Sequence, residues 1–476
     1  MKPGEAIREI FKNAADFSSR EVRAGGAAVT LFFIDGLTSS QYIADEIVKP
    51  LCLLKHRGDD EDLMLSLQEG VIFGHSVNRR DTADEAAKDM LAGFAAVSAD
   101  GVPWYLTFEA KGFPSRGVSE PGGENILKGA KDGFIENLRT NTALVRRKIK
   151  NPALRFSETV VGRQTRTTVS VVWIEGLTDP KLADAVLKRL ESLDIDALLS
   201  AAQLEERLAD DVWTAFPQML VSERSDRFAN HIASGRVGLL IDGLPLGCAV
   251  PANFSELLRA PEDYSQNYLM ASFVTVLRYA CLILSLTLPA LYLSLVCWHQ
   301  EIIPPALALA IVRAKRDVPL AAAFEILGML VAFEILLEAG MRLPKAIGQT
   351  VSIVGALIVG RAAVEAKFVS PAVVIVVAMT GIAGFTSPNQ DLSAAVRVWR
   401  LALTLLAMPL GLFGVCAGCV WLLFHLAGVT SFGVPYLSPF DNSARDTLTR
   451  ALFRPPLRVT PMRERALNTP NKRNQR

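Results

Sequence analysis

The chain has 476 residues, half of them hydrophobic, and its 50 Lys and Arg against 49 Asp and Glu leave a formal net charge of +1. That length exceeds one ordinary core and fits two or three folded units, and the near-zero charge excludes a global electrostatic case for nucleic acid or an acidic substrate as partner. Charged residues still make up 21%, but they are dense up to Arg259 and then sparse until a tail near Arg445, so the apolar content lies in a C-terminal block.

Met1–Arg23 is charged and amphipathic, without the apolar core and small-residue cleavage site of a secretory signal, which predicts that the first 268 residues are cytoplasmic. Val29–Thr38, VTLFFIDGLT, reads as a buried strand closed by an Asp35-Gly36 turn, and Gln41–Leu54 as a helix with Ile43, Ile47, Val48 and Leu51 on one face. Val169–Thr178, VSVVWIEGLT, repeats the strand, and Pro180–Leu193 repeats the helix, with Pro180 suited to its start. A second pair matches too. Gly93–Pro103 and Gly235–Pro245 both read G-x6-D-G-[V/L]-P, a strand ending in a tight turn. Asp35 to Asp100 and Glu175 to Asp242 are each separated by roughly 65 residues, which is self-similarity on the scale of a subdomain. The soluble part is therefore predicted to be α/β and duplicated, with subdomain 1 and a linker over 1–125 and subdomain 2 over 126–268.

Turn chemistry accounts for Asp35, Asp100 and Asp242, because no His, Ser or Cys partner recurs beside them. Phosphate-loop, dinucleotide and nucleophile-elbow motifs are absent from the sequence. No enzyme is predicted, and no catalytic residue or cofactor is assigned. The six cysteines form no framework: Cys416 and Cys419 lie in an apolar run and read as small buried residues, and the five histidines are too scattered to suggest a metal site. Lys111–Asn125 reads as a linker. In Phe134–Lys150, an amphipathic helix, the basic end Arg146-Arg147-Lys148 has two readings: contact with anionic headgroups, or a solvated helix C-terminus favoured by the dipole.

Residues 269–430 are predicted to form an all-α transmembrane domain. Phe273–Trp298 is the clearest span, with Arg278 placed to snorkel, and Ala306–Val312 is short enough to be interfacial or re-entrant. Leu320–Gly340 carries Glu325, Glu334 and Glu338. Carboxylates at membrane depth face a protein interior or a watery cavity, although a helix lying on the membrane surface would also keep them wet. Ala346–Val364 sets Gly348, Ser352 and Gly355 on a stripe of small residues that permits close helix packing. Ser370–Thr386 and Leu401–Leu426 complete the apolar runs. The basic tail, 431–476, is cytoplasmic by the positive-inside rule, so an even number of crossings follows and four are expected.

Several long runs carry a family resemblance: ENLRTNTALVRRKIK ending at Lys150, FPQMLVSERSDR over Phe216–Arg227, LPALYLSLVCWHQEIIP over Leu288–Pro304, LPKAIGQTVSIVGALIVGRAAVE over Leu343–Glu365, and SFGVPYLSPF over Ser431–Phe440. Together they resemble the GerA-type A subunit of bacterial spore germinant receptors from about Val29 to Arg450. Arg361 and the run Pro388-Asn389-Gln390 depart from the pattern. The resemblance implies a multi-pass subunit in the inner membrane of the spore that works with a transporter-like B subunit and a lipoprotein C subunit, and that forms a homo-oligomer conducting ions. Glu334, Glu338, Gln349, Ser352, Gly348 and Gly355 are then candidates for a pore or subunit interface. Two alternatives stand beside it: a sporulation-stage relative associated with dipicolinic-acid channel proteins, and a non-conducting membrane scaffold.

Overall fold

The structure is a computed structural model that describes residues 3–24, 27–54, 58–72, 76–112, 130, 132–342, 360–440, 451–456 and 462–473. Its N-terminal half contains two five-stranded antiparallel sheets. The first has strands β1 (Phe17–Ala24), β2 (Ala27–Ile34), β3 (Val77–Arg80), β4 (Phe94–Ala99) and β5 (Tyr105–Glu109) in the order β1-β2-β4-β5-β3. The second has β6 (Leu154–Val161), β7 (Thr167–Ile174), β8 (Leu220–Ser222), β9 (Val237–Ile241) and β10 (Gly247–Val250) in the equivalent order β6-β7-β9-β10-β8.

Side-chain alternation explains why these strands are apolar throughout. Leu31 packs with Ile43, Ile47 and Leu51 on one face of the first sheet, and its neighbour Phe32 packs with Ile7, Phe11 and Met90 on the other. A strand covered by helices on both faces reads as a continuous hydrophobic run. The helices are α1 (Pro3–Ile10), α2 (40–53), α3 (Asp60–Ser66) and α4 (Ala83–Leu91) around the first sheet. Around the second lie α5 (Leu138–Lys148), α6 (Pro180–Glu191), α7 (Ala201–Leu208) and α8 (Ser225–Ala233), followed by the single turn α9 (Phe254–Leu257).

The repeat seen in the sequence is a repeat of register. Val29 pairs with Ala99, the residue before Asp100, and Val169 pairs with Ile241, the residue before Asp242. Both copies of the strand motif thus meet their partner motif at the same position. Gly243 has the positive φ of a tight turn, 82°, but the Asp242 carboxylate reaches beyond the turn and accepts the Leu138 N–H at the start of α5, at 3.2 Å.

At the basic end of α5, Arg147 and Lys148 are exposed, as on a solvated helix C-terminus, but Arg146 follows neither reading proposed for the triplet. Arg146 is fully buried and holds both oxygens of Asp16 at 2.9 and 2.7 Å, while its guanidinium stacks on Phe156 and donates to Leu154 O. Lys148 pairs with Asp132 at 2.7 Å. Arg146 is therefore the charged rivet between the two sheets, reinforced by Ala15 N–H to Phe156 O at 2.9 Å and Arg155 Nη1 to Ile10 O at 3.0 Å.

The C-terminal half is helical: α10 (Tyr268–Cys297), α11 (Pro305–Lys315), α12 (Ala322–Arg342), α13 (Pro371–Gly384) and α14 (Gln390–Gly428). Among the described residues only α10 and α14 are both long and apolar enough to cross a membrane. Nor is α14 one rod. At Gly411 the backbone leaves the helix (φ 58°, ψ −138°) just after Pro409. The chain then returns on itself, so that Trp399 and Trp421 stack edge to face 5.1 Å apart and a β-carbon at Gly418 would collide with Leu403. A straight helix would separate those tryptophans by about 33 Å. The expected span Leu401–Leu426 is thus broken in its middle, and two arms, 390–410 and 412–428, pack antiparallel.

Trp298, at the end of α10, sits under this fold-back and donates its indole N–H to Met408 O at 3.0 Å. Both open ends of the hairpin lie against the soluble half, where Leu392, Leu422 and Leu426 pack with Phe216, Leu220 and Leu257. Only a residue without a β-carbon suits the Gly411 conformation, which costs of order 1–3 kcal/mol for other residues, and Trp298 fills the space beside it. Gly411→Ala is therefore expected to lower the thermal unfolding midpoint of the detergent-solubilised chain, and Gly428→Ala, with open space around it, to leave it unchanged.

Candidate functional site

Three carboxylates lie on α12, and the structure gives them different surroundings. Glu325, only 1% exposed, accepts the Ser370 N–H at 2.9 Å and lies 3.3 Å from Lys315 Nζ. Ser370 is the residue that opens α13, so Glu325 satisfies a helix N-terminus that has no cap of its own. Its work is to fasten α12 to α13.

Glu334, half a helical circumference away, faces the first arm of α14. Its Oε2 accepts from Arg397 Nη1 at 3.0 Å and its Oε1 from Arg400 Nη2 at 2.5 Å. Arg397 and Arg400 are three residues apart and so share a face of the helix. Arg400 is 3% exposed, but the side chains of Glu334 and Arg397 are 37% and 32% accessible, so this cluster of two guanidiniums and one carboxylate lies at the edge of the apolar bundle, beside Trp399, which packs on His425. Such groups are costly at membrane depth and are held by one another or by a wet cavity. Glu338, one turn beyond Glu334, is exposed. Gly348, Gln349, Ser352 and Gly355 lie outside the described residues. The small-residue logic is nonetheless visible nearby: a β-carbon at Gly381 of α13 would strike the Phe333 ring of α12.

Arg397 and Arg400 escaped sequence reasoning because the last span was started at Leu401. The signal was present in VRVWRL, two arginines three apart leading straight into an apolar run.

A second charged cluster joins the soluble half to α10. Arg278 does not snorkel to water; it is buried and binds Asp263 Oδ2 at 2.5 Å and Leu258 O at 3.3 Å. Arg236 donates to Asn253 Oδ1 at 3.0 Å and to Glu464 of the tail at 2.9 Å. Arg454 of the tail donates to the backbone carbonyls of Asp263 and Gln266. Soluble half, α10 and the described residues of the tail are therefore one charged joint.

His231 and Glu256 lie at the centre of this joint, 4.0 Å apart, and His231 is 2% exposed with neither ring nitrogen hydrogen-bonded. Burial drives the His231 pKa down to about 3 against the pull of Glu256. Burial alone would raise Glu256, but Arg259 and Arg236 outweigh it and hold the carboxyl at about 2. The folded pKa lies below the unfolded one in both cases. Stability is then complete above about pH 6.5 and falls with acid, first as His231 protonates in the unfolded chain and then, below about pH 4.5, as Glu256 follows. His231→Leu is expected to flatten the pH dependence of unfolding between pH 6.5 and 4 with little change at pH 7.5, read by thermal denaturation across buffers.

No group of three or more His, Cys, Asp or Glu positioned for a metal occurs among the described residues. Among the described residues the geometry offers ion pairs and packing, in a helical bundle and a rigid joint.

Comparison with known proteins agrees with this arrangement. Residues 5–466 match the family described as Bacillus/Clostridium GerA spore germination protein. An uncharacterized membrane protein of Bacillus subtilis, YfkQ, is 37% identical over 453 residues, which cover 95% of this chain and 88% of that protein. Spore germination protein KA of Bacillus subtilis is 34% identical over 447 residues, 93% of this chain and 82% of that protein. Among solved structures, the N-terminal domain of the A subunit of the Bacillus megaterium spore germinant receptor GerK3 matches with a TM-score of 0.42 and 28% identity, covering 52% of this chain and 92% of that domain.

Proposed function

Because the chain belongs to the Bacillus/Clostridium GerA spore germination family, we propose that it is the A-type subunit of a germinant receptor in the inner membrane of the spore. In this reading it takes part in nutrient-triggered germination and oligomerises into an ion-conducting channel, together with a B-type transporter-like subunit and a C-type lipoprotein. The observation that carries the conducting role is the Glu334–Arg397–Arg400 cluster. Paired charges between apolar helices mark ion pathways as well as helix-to-helix latches, and the partial accessibility of Glu334 favours the pathway.

The proposed topology has four crossings: α10, α12 and the two arms of α14. At 1.5 Å per residue these are about 45, 32, 32 and 26 Å long, against a hydrocarbon core of about 30 Å. The 14 residues of α13 reach only about 21 Å and suit a partial, re-entrant element. The soluble half and the tail then share the cytoplasmic side. Glu334 and Glu338 line the path or an interface between copies, and Gly348, Gln349, Ser352 and Gly355 supply the close packing of the oligomer.

Spores lacking the chain test this reading. They are expected to lose ion release in response to at least one nutrient, with normal dipicolinic-acid content. Normal nutrient-triggered release combined with low dipicolinic acid would instead assign the chain to the sporulation-stage branch.

A further inference from the structure

Between α7 and β8 the loop 209–219 carries two apolar side chains turned fully outward: Val212 is 58% exposed and Trp213 is 96% exposed. Isolated exposed hydrophobics are common and carry no message by themselves. The position and rigidity of this pair do. Asp211 Oδ1 accepts the Trp213 N–H at 3.0 Å, and Gln218 Oε1 accepts the Asp210 N–H at 2.9 Å, so the loop is braced from within. It is also fixed to the end of the membrane hairpin. Thr214 Oγ1 lies 2.9 Å from His425 Nε2, Phe216 packs on the same imidazole, and Asp210 Oδ2 accepts from Thr430 Oγ1 and Gly433 N–H at 2.9 and 3.0 Å.

His425 is in the last turn of α14, where the apolar run ends, and the outward-facing aromatic residues on that turn and the one before are Trp421 and Phe424, 56% and 78% exposed. Trp213 is one residue from the atom that touches His425. The loop that carries it is therefore held at the level where the apolar run of the helix ends. A flat apolar ring with one N–H donor fits the boundary between acyl chains and headgroups.

We propose that Val212 and Trp213 form an interfacial anchor by which the second sheet subdomain binds the lipid headgroup layer of the adjacent leaflet. The anchor rests on the reading of α14 as membrane-spanning, and through Thr214 and His425 it ties the tilt of the soluble half to the hairpin.

The test uses the full chain carrying 5-fluorotryptophan, reconstituted in phospholipid vesicles, with Trp213→Phe and Trp421→Phe variants to identify two of its six tryptophan resonances. Lipid bearing a nitroxide on its headgroup is expected to broaden the Trp213 resonance beyond detection, and lipid labelled at the acyl-chain end to leave it sharp. A Trp213 resonance broadened only by a water-soluble relaxation agent, while Trp421 responds to labelled lipid, overturns the anchor and leaves the span intact. Broadening by neither agent, with a shift that grows with protein density, would assign Trp213 to a contact between copies and also overturn it. If Trp421 too ignores every labelled lipid, the spanning reading of α14 fails and takes the anchor with it.

Discussion

Replacing Arg146 with leucine is expected to destabilise the soluble half by about 3–5 kcal/mol, because it leaves Asp16 charged, buried and without its partner. The environment explains the size. Both members of the pair are out of water, the two hydrogen bonds are near-ideal, and the guanidinium also satisfies Leu154 O and covers Phe156. In a unit of this size the loss corresponds to a fall in unfolding midpoint on the order of 10 °C. Removing both partners, Arg146→Leu with Asp16→Leu, is expected to recover most of it, since a buried ion pair replaced by apolar groups is often neutral or better. A single variant that unfolds like the parent would show that the ion pair adds nothing to the apolar contacts and the Ala15–Phe156 and Arg155–Ile10 hydrogen bonds that also join the two sheets.

Glu334→Gln is expected to have the larger effect on function. It removes the carboxylate that holds Arg397 and the almost fully buried Arg400, so two guanidiniums lose their partner in the bundle. Spores carrying this variant are expected to release ions at least about tenfold more slowly after nutrient exposure, roughly 1.4 kcal/mol or more in the barrier. Exchanging the charges, Glu334→Arg with Arg400→Glu, separates two roles. Recovery of rate with unchanged selectivity points to a latch between α12 and α14, whereas recovery with altered selectivity points to a charge lining the path. Unchanged release and selectivity in the Glu334→Gln, Glu338→Gln double variant would remove both residues from the mechanism.

The duplicated α/β part was legible because strand register writes itself into sequence. An apolar run buried on both faces, stopped by Asp-Gly or Glu-Gly, can pair in only one way without moving its turn, and the Val29–Ala99 and Val169–Ile241 pairings repeat that solution. The fold-back of α14 was harder to see. From Leu401 to Leu426 the hydrophobicity is continuous, and Pro409 and Gly411 are both residue types that membrane helices tolerate without reversing; the reversal shows in the Gly411 backbone and in the contacts of Trp399 with Trp421 and Gly418 with Leu403.

Arg146 was misread for a different reason. A basic triplet at a helix C-terminus has a sufficient local explanation in the dipole, and its true partner lies 130 residues earlier in the chain. The membrane carboxylates were found from their rarity, but their roles were not, since composition cannot distinguish Glu325, which closes the start of a neighbouring helix, from Glu334, which meets two arginines.

The proposal that the helical half conducts ions is tested most directly by recording currents from the purified full-length chain in planar lipid bilayers. The account predicts discrete, voltage-driven currents whose ion selectivity or amplitude changes in Glu334→Gln. A chain that inserts and assembles, yet passes no current alone or with its B-type and C-type partners, would contradict it and leave the membrane half as a scaffold.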